Sequence, residues 1–229
     1  MKKREEYESK FITIDQALAL VRDGDTIAVG HYGNEPRNLM SRLHTLKGRV
    51  KGVTVWANNP SLDYPFIHDE ELRGCVDILS AFYGGPLRAA HPTGRVSFVP
   101  HNMHSLSQTV IGTRKPRIFM AAVTPLDEYG FVCMSVSQQM EREMIEAADL
   151  VILEVNENIP RTIGTIQVPI HEVDYFVKGE GPISTAPEYP INETQQKIAE
   201  NIAGLINDGD TIQLGIGGQI GRASCRERV

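Results

Sequence analysis

Short segments that are almost wholly apolar recur along this chain, and stretches of helical period separate them. Residues 26–29, 53–57, 76–82, 96–99, 118–123 and 150–155 each read as a strand, most of them apolar at nearly every position. A strand can be apolar on both sides only where both sides are covered, which is the condition of a parallel sheet between layers of helices. The expected fold is therefore α/β, an open parallel sheet with helices on both faces. The intervening segments supply helices. Residues 13–21 place Ile14, Ala17, Leu18 and Val21 on one stripe with Thr13 as N-cap. Residues 36–46 open on Pro36, a residue suited to a first helical turn, and 138–148 are rich in Glu and Met.

Composition narrows the class. The chain has 229 residues, 41% hydrophobic and 23% charged, enough for one large domain or one domain and a fragment. Its formal charge is -6 and the basic residues are scattered, so no nucleic-acid partner is expected. No apolar run reaches the length of a bilayer span and the first eight residues lead into no signal core, so the expectation is no membrane partner and a cytoplasmic location. Cys75, Cys133 and Cys225 lie far apart without ligand spacing, which points to neither a disulfide framework nor a metal site and fits a reducing compartment. His101, His104 and His171 have no acidic or Cys partner at metal spacing and read as structural.

An internal repeat divides the chain. Residues 21–30, VRDGDTIAVG, align with 206–215, INDGDTIQLG, and share the run Asp-Gly-Asp-Thr-Ile. In each copy a helix precedes the match and a glycine turn follows, so the chain reads as one α/β domain and the start of a second of similar design. A common helix-turn-strand solution reached twice is the alternative; the shared helix, strand and final Gly favour duplication. Residues 179–190, rich in Gly and Pro, suit a linker. Beyond it, 193–206 read as a helix and 211–214 as a strand. The expected organisation is a first domain at 1–185, the start of a second at 186–219, and a tail at 220–229. That tail is dense in Arg, loses the apolar period and resembles sequencing-adapter read-through, so it reads as non-native rather than as a genuine basic tail.

Two glycine-bearing turns carry candidate chemistry. Gly215-Ile216-Gly217-Gly218 follows an expected strand, where backbone N–H groups and a helix dipole meet an anion, although a plain tight turn has the same pattern. Gly30-His31-Tyr32-Gly33-Asn34-Glu35-Pro36 has the equivalent place in the first copy and would line the crevice outside the carboxyl ends of the strands. Gly33, Glu35 and Pro36 are the candidate substrate-binding residues there; Glu35 also suits a helix-dipole partner. Arg161 and Asp174 fit a buried pair that fixes a loop, with direct carboxylate binding by Arg161 as the alternative.

The most distinctive block runs from Glu154 through Val155-Asn156, Pro160-Arg161-Thr162 and Gly164 to Ile170-His171, Asp174 and Val177. With the stretch from Asp127 and Gly130 to Cys133 and Ser135, it resembles the acetyl-CoA hydrolase/transferase family, of the 4-hydroxybutyrate/butyrate/acetate CoA-transferase type. The resemblance runs from about Phe11 to Gly218. It implies a CoA-transferase-like fold of two similar α/β domains, coenzyme A as a substrate rather than a bound cofactor, and Gly215–Gly218 in the CoA site. It also implies acyl-CoA and small carboxylic acids (acetate, butyrate or 4-hydroxybutyrate) as partners, and frequent homo-oligomers. The implied mechanism is ping-pong through a glutamyl-CoA thioester. The nucleophilic glutamate is implied to lie downstream of the glycine loop, so no catalytic residue is assigned in this chain and it is expected to be an inactive fragment. Acetyl-CoA hydrolase and a non-catalytic α/β ligand-binding module are the alternatives; the Pro-Arg-Thr block argues against the second.

Overall fold

The computed structural model describes residues 2–183, 185, 190 and 192–213. The chain divides into two compact units, Met1–Ser184 and Thr185–Val229. In the first, α1 (Lys2–Ser9) and α2 (Ile14–Ala19) precede β1 (Thr26–Val29), then come α3 (Arg37–Arg42), β2 (Val53–Trp56), α4 (Pro65–His68) and β3 (Val76–Ser80). There follow α5 (Gly85–Ala90), β4 (Val96–Phe98), α6 (Leu106–Arg114), β5 (Ile118–Val123), β6 (Phe131–Cys133), α7 (Glu141–Ala147), β7 (Leu150–Val155), β8 (Gln167–Pro169) and β9 (Tyr175–Lys178).

Seven strands form one sheet in the order β4-β3-β2-β1-β5-β7-β9, and every pairing in it is parallel. All six strands expected in the first domain are in it. The seventh, β9, is four residues long, and nothing in its own pattern distinguishes it from the apolar loop ends around it. The chain builds outward from β1 to β4 and then crosses to β1's other side with β5, so the strand order reverses between β1 and β5. In such sheets the crevice outside the carboxyl ends at the reversal is where ligands bind.

Side chains alternate across the sheet and feed two apolar layers. Ile27, Val29, Val53, Val55, Ile118, Met120 and Ile152 pack under α2, α3, α4 and α5, with Leu18, Leu39, Phe66 and Leu87 fully buried. Ala28, Trp56, Phe119, Ala121, Val123, Val151 and Leu153 point the other way, to α6 and α7. The antiparallel pair of β6 and β8 covers this second face too, with Val132 and Val168 buried in it. That pair falls outside the sequence expectation, because two three-residue strands separated by a helix and a third strand leave no local signature.

Local chemistry explains the boundaries. Thr13 caps α2 in a capping box, its hydroxyl accepting from Gln16 N at 3.1 Å while Gln16 Oε1 accepts from Thr13 N at 2.8 Å. The turn after α2 needs Gly24, whose φ is +74°. Asp25 then accepts from Arg22 N at 2.7 Å and holds the Arg117 guanidinium in a fork, two contacts of 2.6 Å each. Residues 10–12 are tied to the edge strand β9: Ile12 N donates to Phe176 O and Phe176 N to Lys10 O, both at 2.9 Å. Lys10 Nζ donates to the carbonyls of Ile170 and Val173 at 2.7 and 2.8 Å.

In the second unit, α8 (Glu193–Ala203) opens with Asn192 and Gln195 in the same capping box. Gly209 has a φ of +90°, and Asp210 accepts from Asn207 N at 2.8 Å, the hydrogen bond Asp25 makes with Arg22 N. The helix ends three residues before its expected limit. Residues 211–213 are in no strand, since no described residue offers them a ladder. Residue 214, the loop Gly215–Gly218 and the tail 220–229 lie outside the described residues.

Candidate functional site

The loop between β1 and α3 crosses the carboxyl end of the sheet. Gly30 N donates to Met120 O at 2.7 Å, and a Cβ on Gly30 would stand 2.3 Å from Asn34 O, so only glycine allows the chain to fold back this tightly. Gly33 faces Val136 of the β6–α7 loop, where an added Cβ would stand 2.3 Å from Val136 Cγ2. Tyr32, between them, has a φ of +45°, a conformation that costs a bulky residue roughly 1–3 kcal/mol. Pro36 is the residue before α3, with ψ 80°. The structure thus brings Gly33, Glu35 and Pro36 together on one loop.

Glu35 is 4% exposed and its carboxylate is saturated from within the protein. Ser61 donates twice, from N at 2.6 Å and from Oγ at 2.5 Å, and Tyr64 Oη donates at 3.0 Å. Burial raises its pKa to about 7, while these three donors pull the other way. Across α3 lies Glu154, on the last turn of the β7 pleat and 1% exposed. It accepts from Asn38 N at 3.2 Å and Leu39 N at 2.9 Å, so it caps the start of α3. Burial raises its pKa to about 7 as well. Gly179 makes room for it, since a Cβ there would stand 2.7 Å from Glu154 Cγ. Arg37 lies between the two acids and donates to Ser61 Oγ and Pro182 O.

A third buried acid, Glu141 at the start of α7, is 0% exposed. It accepts from His31 N at 3.2 Å and from Gln139 N and Met140 N at 2.6 and 3.0 Å, which delays the start of α7 relative to the expected helix. Burial lowers the His31 pKa to about 4, so its ring is neutral at pH 7. Beside β7 and β9, a cleft of about 540 Å³ opens between Tyr7, Leu126, Asn156, Lys178 and Gly181.

The Pro-Arg-Thr block corrects one expectation. Arg161 does not pair with Asp174. Its guanidinium meets Asp127 Oδ2 at 3.2 Å, Gln167 Oε1 at 2.9 Å, Thr124 Oγ1 at 3.0 Å and the carbonyls of Pro125 and Phe131 at 2.9 and 3.2 Å. Asp174 instead accepts from Val151 N at 2.8 Å at the sheet edge. The planar five-donor fork is satisfied where a turn and a hairpin-like pair converge carbonyls, and a carboxylate already bound to backbone N–H has no need of it. Glu154, Ser61 and Tyr64 were not picked out from sequence. Glu154 had a signal, a lone acid in the apolar run Leu150–Val155; the other two reach Glu35 from 26 and 29 residues away and had none.

Among the described residues no group of three or more His, Cys, Asp or Glu could hold a metal, and no helix is long and apolar enough to cross a membrane.

A doubly covered parallel sheet with a glycine loop and buried acids near the reversal of strand order defines an open-sheet α/β protein. The family model of the acetyl-CoA hydrolase/transferase N-terminal domain matches residues 1–186, and the chain belongs to that family. It is 28% identical over 218 residues to the 4-hydroxybutyrate coenzyme A transferase of Clostridium kluyveri, covering 95% of this chain and 51% of that protein. It is 29% identical over 235 residues to the butyryl-CoA:acetate CoA-transferase of Anaerostipes caccae, covering 94% and 49%. The crystal structure of RipA from Yersinia pestis superposes with a TM-score of 0.87 at 24% identity, covering 97% of this chain and 54% of that one. The chain spans about half the length of these curated relatives.

Proposed function

We propose that this chain is the amino-terminal domain, with the opening of the second, of an acyl-CoA:carboxylate CoA-transferase for small acids such as acetate, butyrate or 4-hydroxybutyrate. The observation that carries the reading is the family match over residues 1–186 together with curated relatives that are CoA-transferases. In this reading a glutamate outside the chain attacks the acyl-CoA carbonyl and expels CoA thiolate, leaving a mixed anhydride. The thiolate then attacks the enzyme's acyl carbon, releasing the first acid and leaving a glutamyl-CoA thioester. The second acid takes the CoA by the reverse of these steps, and splitting one transfer into several lowers each barrier.

This domain supplies one wall of the crevice. The loop with Gly33, Glu35 and Pro36 lies on the substrate side, and Glu35 gives it shape by holding Ser61 and Tyr64. The loop Gly215–Gly218 would approach CoA through backbone N–H groups.

The 229-residue chain alone is expected to turn over no acetyl-CoA with butyrate, while the intact gene product forms butyryl-CoA and accumulates a protein-bound CoA thioester detectable by mass. Transfer by the 229-residue chain would refute the absent nucleophile. CoA release from the intact protein at the same rate without any acceptor acid would make it a hydrolase instead.

A further inference from the structure

Two largely apolar side chains stand exposed at the loop between β1 and α3. Tyr32 is 39% and Val136 47% exposed, and they come from different loops that meet through Gly33. Both are presented by strained backbone: Tyr32 itself has a φ of +45°, and Ser135, next to Val136, has a φ of +55°. A non-glycine residue held in this region is retained only where its surroundings over-determine it, and such residues gather at ligand sites.

The surroundings of Ser135 are a clamp. Its hydroxyl donates to Pro160 O, its N–H to Cys133 Sγ at 3.3 Å, and its carbonyl accepts from Thr162 Oγ1 at 3.2 Å. Arg161, between Pro160 and Thr162, is fixed by its five acceptors described above. The Pro-Arg-Thr block therefore sets the conformation of the residue before Val136. Gly33 has no Cβ, so Val136 seats directly on the β1–α3 loop.

We propose that Val136, with Tyr32, is the wall that meets the acyl chain and sets the length accepted, and that Ser135 and Thr162 are positioning residues that hold it there. The inference rests on the CoA-transferase reading and names its specificity element. An apolar wall of fixed position discriminates by chain length, about tenfold or more for each methylene that fits or clashes.

The test measures kcat/KM of the intact enzyme for acetate, butyrate and hexanoate as CoA acceptors. Val136→Phe should lower the butyrate-to-acetate ratio about tenfold, and Val136→Ala should raise the hexanoate-to-butyrate ratio. Thr162→Val should blur both ratios and Thr162→Ser restore them, a readout that a purely structural hydroxyl would not move. Uniform loss across the three acids, or altered thermal midpoints with unchanged ratios, would overturn the inference. A wild-type enzyme with no CoA transfer at all would instead sink the reading on which it rests.

Discussion

Glu35 and Glu154 store proton-dependent energy in the fold. Burial raises each from 4.5 to about 7. A group whose proton affinity is higher folded than unfolded favours the folded state while protonated. That advantage is complete below about 4.5 and is lost as the pH rises through about 7. Each tenfold change in affinity corresponds to about 1.4 kcal/mol. Thermal midpoints are therefore expected to fall between pH 5 and pH 8, and Glu35→Gln and Glu154→Gln to flatten that slope, each by part. Equal slopes in wild type and both variants would show that neither acid carries it. At this scale the sequence carried a signal where a residue broke its own local pattern, as Glu154 does in β7, although that signal was not taken up. It was silent where a residue's role depends on partners far along the chain, as with Ser61, and misleading for Arg161, whose five acceptors include two backbone carbonyls that no side-chain pattern encodes and side chains up to 37 residues away.

The turn after α2 ties one element to another. Asp25 is 7% exposed, and its fork with Arg117 joins the start of β1 to the start of β5, its neighbour in the sheet. Removing one member leaves the other charged and partly desolvated, so Asp25→Ala or Arg117→Ala should cost about 3–5 kcal/mol in denaturant unfolding. Replacing both, as Asp25→Leu with Arg117→Met, should cost less than the two single changes added. Additive losses would mean the fork contributes nothing as a pair. The elements themselves were readable to within a residue or two wherever an apolar run was bracketed by turn residues. The capping boxes of α2 and α8 and their matching Asp-Gly-Asp turns show that the repeat in sequence is a repeat in hydrogen bonding as well. What escaped were the short helices α1, α4, α5 and α6 and, among the strands, those defined by a distant partner: β6, β8 and β9.

At the level of the molecule, the described residues of both apolar layers run from Tyr7 to Val177. A chain ending at Ser184 is therefore expected to unfold cooperatively with the thermal midpoint of the 229-residue chain, because no described member of either layer is lost. A large drop, read by calorimetry or circular dichroism, would show that the later residues support the sheet. The fold class was legible as a whole because both-sided burial leaves its mark on every strand at once, whereas the crevice was legible only as a place.

The tie between residues 10–12 and β9 sets a clock on biosynthesis. Tyr7 and Phe11 have Phe176 as their ring partner, and it leaves the ribosome long after they do. At about 5–20 residues per second the wait is on the order of 10–30 s. Through that interval β1 to β4 can already assemble while the segment around Tyr7 and Phe11 stays uncovered, a sticky stretch for a ribosome-bound chaperone to shield until the edge strand arrives.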